Sequence, residues 1–233
     1  MSGYTTQIPD TLGIIIGGDT MHKFKIPTNP YERGDSGKIY MKSDVVIKSG
    51  ITVLVGCNGS GKTTFLNLIE DILKQDSDVA VLHYDNLREG GDRAKESAGW
   101  HDNLSLLATL IQSSEGEQIV TNLGNTARKI GAFVRKYANN RKEIWVLLDA
   151  LDSGLSVDNI DSVKTDLFDV IIEDFKQRES CDIYIVVSAN SYEFCRNSNC
   201  FDVRTGEYIQ FSDYEDYRKF IFRSAEDKDK RYS

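Results

Sequence analysis

Apolar residues along this chain fall into two rhythms. Short unbroken runs, Ile51–Val55, Val79–Tyr84, Ile144–Leu148 and Ile183–Val187, read as strands buried on both faces. Between them the spacing turns helical. Phe65, Leu66, Leu68, Ile69, Ile72 and Leu73 share one face of a helix ending near Lys74, and helical patterns also cover Ile119–Tyr137 and Asp161–Phe175. A polar turn and more helical pattern fill Gly90–Leu110. Strands alternating with helices predict an α/β fold with a mainly parallel sheet covered on both sides.

Ile39-Tyr40-Met41 and Val45-Val46-Ile47 precede the first buried run and predict a further strand, a turn and an antiparallel N-terminal β portion. Residues 1–37 are broken by Pro9, Gly17-Gly18, Pro27, Pro30 and Gly34, so this segment reads as irregular, with short strands and turns. Near the other end, Cys200–Val203 and Tyr208–Gln210 predict a hairpin and Tyr214–Phe222 a closing helix. The mixed-charge tail, 224–233, is expected to fray. Repeats, low-complexity tracts and linkers are absent, so 1–233 reads as one domain with a short helical insertion over 86–118.

Composition adds constraints. Hydrophobic residues at 40% and charged residues at 27% are ordinary for a globular chain. With 28 Lys and Arg against 36 Asp and Glu, the net charge of −8 argues against a protein that coats nucleic acid. The longest apolar runs, Leu12–Ile16 among them, are too short to span a bilayer, and Met1–Thr6 carries no secretory pattern, so a cytoplasmic address and no membrane association are expected. Four scattered cysteines and three distant histidines read as reduced and metal-free.

The chemistry sits where the first buried run meets its helix. Gly56-Cys57-Asn58-Gly59-Ser60-Gly61-Lys62-Thr63 matches G-x-x-x-x-G-K-[ST] between a strand and a helix. Such glycines let successive amides turn inward on phosphate oxygens, and the helix adds its positive end. ATP with Mg²⁺ is the expected guest: Lys62 on the β- and γ-phosphates, the Thr63 hydroxyl on the metal, and Thr64 near the α-phosphate. Asp149, closing the apolar run Trp145–Leu148, is the carboxylate expected to hold the Mg²⁺ shell from a neighbouring strand.

The loop text GCNGSGKTT, then Ser113-Ser114-Glu115-Gly116-Glu117-Gln118, then LLDALDSGLS over Leu147 to Ser156, resembles the ABC ATPase class in motif identity and order from Lys38 to about Asn190. Transporter ATPase domains, SMC- and RecF-type repair ATPases and the soluble iron–sulfur assembly ATPase share this order. The resemblance implies that Ser114, Gly116 and Gln118, a Ser-x-Gly-x-Gln skeleton, touch the γ-phosphate of ATP held by a second copy, and that Ser153-Gly154-Leu155 lies along the interface of a head-to-head homodimer. The same Ser114–Gln118 text also reads as an N-capped helix with an acidic first turn.

Departures from the class are as informative. Ala150 stands where the class carries the glutamate that activates water, and a methyl cannot accept a proton. Asp152 is the nearest carboxylate in sequence that could serve. Asn190 replaces the switch histidine, and Asp85 or Asn86 stands in for the Q-loop glutamine. These changes predict slow or conditional hydrolysis of ATP to ADP and phosphate; a non-hydrolysing regulatory or scaffold subunit and a DNA-repair or phage-defence ATPase acting on nucleic acid are the alternatives. Tyr31 or Tyr40 could stack on adenine or simply pack. The basic pairs Arg128-Lys129, Arg135-Lys136 and Arg141-Lys142 read as a solvated surface, with nucleic acid or an acidic protein partner as the other reading.

Overall fold

The computed structural model describes residues 20–31, 37–86, 115–176 and 180–230, with backbone alone for 115–123. Two antiparallel strands come first, β1 (Met21–Lys25) and β2 (Asp44–Lys48). The main sheet holds β3 (Gly50–Val55), β4 (Val79–Asp85), β5 (Glu143–Asp149), β6 (Asp182–Ser188), β7 (Asn199–Asp202) and β8 (Glu207–Ile209) in the order β4-β5-β6-β3-β7-β8. All neighbours run parallel except β7 and β8, the predicted hairpin. Helix α1 (Lys62–Leu73) follows β3 and α2 (Glu115–Tyr137) precedes β5. The architecture is the expected mainly parallel P-loop sheet flanked by helices.

Both faces of the sheet are buried, and the alternation shows how the apolar runs achieve it. Ile144, Val146 and Leu148 of β5 point into one core with Ile183, Ile185 and Val187 of β6, against Ile130 and Val134 of α2. Trp145, Leu147, Tyr184 and Val186 point into the other with Phe65, Leu66 and Ile69 of α1 and Val45 and Ile47 of β2. Trp145 and Tyr184 stack in parallel with ring centroids 4.0 Å apart. Runs that supply both cores leave no polar face, hence their unbroken hydrophobicity.

Four expectations need correction. Ile39-Tyr40-Met41 forms no strand, because the amides of Ile39 and Tyr40 both donate to Thr28 O and that of Met41 to Arg204 O, leaving none for a ladder. The helix expected over Asp161–Phe175 starts earlier, as α3 (Val157–Ser162), passes through a π-helical stretch (Val163–Asp169) and ends as α4 (Val170–Lys176). After the short α5 (Tyr192–Cys195), the closing helix α6 (Tyr214–Asp229) continues through most of the tail expected to fray. Finally β5 is not next to β3, since β6 lies between them. Residues 1–19 and the pattern over Gly90–Leu110 lie outside the described residues.

Candidate functional site

Strand β3 delivers the chain into a loop whose backbone only glycine adopts easily. Gly56 has φ 145° and Gly61, the N-cap of α1, φ 102°. A Cβ on Gly61 would lie 2.8 Å from Ile39 Cγ2, and one on Gly56 2.5 Å from Ser60 Oγ, so close packing adds to the conformational demand. No side chain caps α1, whose first amides are thereby left for a ligand. Lys62 Nζ donates to Gly56 O at 2.7 Å and Cys57 O at 3.3 Å. Burial lowers the Lys62 pKa, partly offset by Cys57 and by the carboxylates of Asp152 and Asp149. An ammonium held in so dry a place favours an anionic guest. Ser60 Oγ is buried with no hydrogen-bond partner among the described residues.

The facing wall comes from the ends of β5 and β6. The Ser188 hydroxyl donates to Asp149 Oδ1 in a short hydrogen bond and accepts the Ala150 amide at 3.1 Å. Ser188 thus joins the two strand ends across the register that the sheet imposes, a role the sequence did not announce. Ala150 carries φ 51°, unusual for a residue with a side chain. Between loop and wall lies a cleft of about 380 Å³. Asn58, Gly59, Gly61, Lys62, Thr63 and Thr64 line it on one side and Asp149, Ala150, Ser188 and Asn190 on the other, while Gly56, Cys57 and Ser60 do not line it.

The remaining candidates separate. Asp152 does not line the cleft; its Oδ2 accepts the amides of Asn190 at 2.7 Å and Ser191 at 2.6 Å, clamping the turn after β6. Asn86 Nδ2 donates to Ala150 O at 3.2 Å and Ser153 O at 3.0 Å, tying the end of β4 to the turn after β5. Tyr40 is 1% exposed and donates to Gly61 O at 2.9 Å, a packing role beneath the loop. Tyr31 is 58% exposed, lines the cleft and shares a 2.7 Å hydrogen bond with Thr64 Oγ1. Ser114 lies outside the described residues, and Gly116 and Gln118 are placed by backbone only, in the first turn of α2.

The site fits a polyphosphate with Mg²⁺. Glycine-shaped backbone, an uncapped helix start, a buried ammonium and a threonine hydroxyl line one wall of the cleft, and a carboxylate lines the facing wall. Hard oxygen donors of this kind, Thr63 and Asp149, suit magnesium.

A family model described as "ABC transporter" matches residues 44–179, more than half of the chain. No curated protein matches. Among solved structures, one titled "Structure of a bacterial Atm1-family ABC exporter with ATP bound" aligns with a TM-score of 0.45 and 14% identity. That alignment covers 94% of this chain and 44% of the exporter chain, so the present chain spans less than half of that protein. Described helices include none long and apolar enough to cross a membrane. Loop, cleft and family match together show that the chain belongs to the ABC transporter family, as an ATP-binding ABC ATPase.

Proposed function

We propose that the chain binds Mg-ATP, that binding drives two copies together head to head, and that hydrolysis is slow or conditional. The observation that carries this reading is the pairing of Ala150 with Asp152. Ala150 presents a methyl to the cleft beside Asp149, and Asp152, the nearest carboxylate in sequence, is spent on the amides of Asn190 and Ser191. Neither residue is placed to take a proton from a water.

Every other group supports holding the nucleotide. Lys62 would exchange its two loop carbonyls for phosphate oxygens, and Thr63 and Asp149 would hold magnesium, which supplies charge neutralisation when bound. Asn190 lines the cleft and can donate an amide hydrogen bond without carrying a proton. By the class resemblance, Ser114, Gly116 and Gln118 complete the site of the second copy. A non-hydrolysing regulatory or scaffold subunit, with ATP as dimer glue, is the second reading, and Ala150 favours it too. The family's transporters make a membrane partner a further reading, at odds with the expected lack of membrane association, whereas action on nucleic acid rests on the exposed Arg128, Lys129, Arg135 and Lys136 of α2.

Titration calorimetry with Mg-ATP should give saturable binding, light scattering a doubled mass on adding it, and phosphate release a rate far below one turnover per second. Fast turnover by the unaltered chain would refute the reading of Ala150, and an unchanged mass the dimer.

A further inference from the structure

Helix α6 reaches the nucleotide loop from behind, although 167 and 170 residues separate the partners in sequence. Its buried face, Tyr217, Phe220 and Ser224, repeats at helical spacing and continues one turn further as Lys228. Three contacts follow from that face. Ser224 Oγ accepts the Cys57 amide at 3.1 Å, Lys228 Nζ donates to Asn58 O at 3.3 Å, and the Tyr217 hydroxyl donates to Asn190 O at 2.6 Å on the opposite wall. A salt bridge from Arg204 to Asp227, 2.7 Å long, fixes the end of the helix to the turn between β7 and β8.

The loop's first half is therefore held from two sides. From within, Lys62 binds Gly56 O and Cys57 O. From outside, Ser224 takes the amide of Cys57 and Lys228 the carbonyl of Asn58. Cys57 accordingly does not line the cleft, and its amide points away from the place where the loop motif alone would put it. When Lys62 turns to a phosphate its two ties are lost; the Ser60 amide still donates to Cys57 O at 3.1 Å, and the contacts from α6 are the side-chain ties left to keep the curvature that faces Asn58 and Gly59 toward the guest.

We propose that Ser224 and Lys228 are positioning residues for the nucleotide: from α6 they hold the Cys57–Asn58 peptides in the curvature that binds polyphosphate once Lys62 has left them. This rests on the nucleotide reading above. The hydroxyl is the essential group at 224, because a buried amide without an acceptor would drive the loop to rearrange. At 228 a positive donor is needed, and it also adds favourable potential behind a loop that receives an anion.

The test is Mg-ATP affinity by calorimetry on the full chain, alongside the melting temperature without nucleotide and amide exchange at Cys57. Ser224→Ala should weaken binding about tenfold and speed exchange at Cys57, while Ser224→Thr restores both. Lys228→Met should weaken binding about threefold and Lys228→Arg should restore it, with the nucleotide-free melting temperature unchanged in both. If Ser224→Ala fails to fold, the Lys228 pair decides alone. Unchanged affinity in the variants of a chain that binds ATP overturns this inference and leaves the nucleotide reading standing. Weaker affinity that Ser224→Thr and Lys228→Arg do not restore, matched by a lower melting temperature, reduces the contacts to general packing and overturns it as well. An unaltered chain that binds no Mg-ATP overturns the nucleotide reading and this inference with it.

Discussion

The two walls of the cleft are built to different standards. On the loop side every feature serves an anion: Gly56 and Gly61 adopt backbone that side chains resist, α1 starts uncapped, and Lys62 is kept dry. On the facing side Asp149 and Ser188 are joined in a hydrogen bond, yet the next residue is an alanine in left-handed backbone and the following carboxylate is turned to main-chain amides. On the proposed function, such a site would keep the parts that hold ATP and lack the part that activates water. Binding needs a fixed field of donors, whereas hydrolysis needs one base at one point.

The largest expected effect falls on the holding side. Lys62→Met should weaken Mg-ATP binding about a hundredfold or more, since charge-assisted hydrogen bonds to phosphate are lost. Without nucleotide the same variant should melt no lower than the unaltered chain at neutral pH. The sign follows from burial. A lysine whose folded pKa lies below its unfolded value is penalised while protonated; the penalty is full below the folded pKa and fades as pH rises toward the unfolded one. A large fall in melting temperature would show that the two loop carbonyls gain more from Lys62 than desolvation costs.

Next comes the facing wall. Ala150→Glu should raise phosphate release at least about tenfold, less than a well-placed general base supplies elsewhere because the left-handed backbone works against a long side chain. Single-turnover release over hours, with binding followed separately, reads it. No gain would mean that Ser188, Asn190 or the second copy limits the step instead.

The loop, its strand and its helix were legible because the motif is local: eight consecutive residues, bounded by a β run and a helical face. Asp149 was legible as an acid ending an apolar run. Ser188 was not, since its partner lies on β5, and nothing in Val187-Ser188-Ala189 predicts that β6 sits between β3 and β5. Ser224 and Lys228 escaped for the same reason. They fall in the mixed-charge tail expected to fray, and only the packing of Tyr217 and Phe220 brings them to the loop. Ile39–Met41 misled in the other direction, because the short apolar run there serves burial of Tyr40 under Gly61 and not strand pairing.

Asp152 tests whether the facing wall has lost its base or merely moved it. If its carboxylate works only as a clamp, Asp152→Ala should cost about 2 kcal/mol of stability, the loss of a charged acceptor for two amides, and Asp152→Asn distinctly less, with basal phosphate release unchanged in Asp152→Asn. Chemical denaturation and phosphate release on the two variants separate the cases. A hundredfold drop in release with Asn, at nearly full stability, would make Asp152 the base and overturn the holding-site picture of that wall.

The smallest effect belongs to the backbone of Ala150 itself. At φ 51° a Cβ is strained, and glycine would relieve that strain at the cost of a freer unfolded chain. These terms nearly cancel, so Ala150→Gly should change stability by about 0.5 kcal/mol in the stabilising direction, read from the denaturation midpoint. The conformation is held by its surroundings: the Ala150 amide on Ser188 Oγ and its carbonyl on Asn86 Nδ2. If Ala150→Gly instead loosened the turn and lost more than about 1 kcal/mol, the alanine methyl would be contributing packing of its own, and its place in the cleft wall would have a structural as well as a chemical explanation.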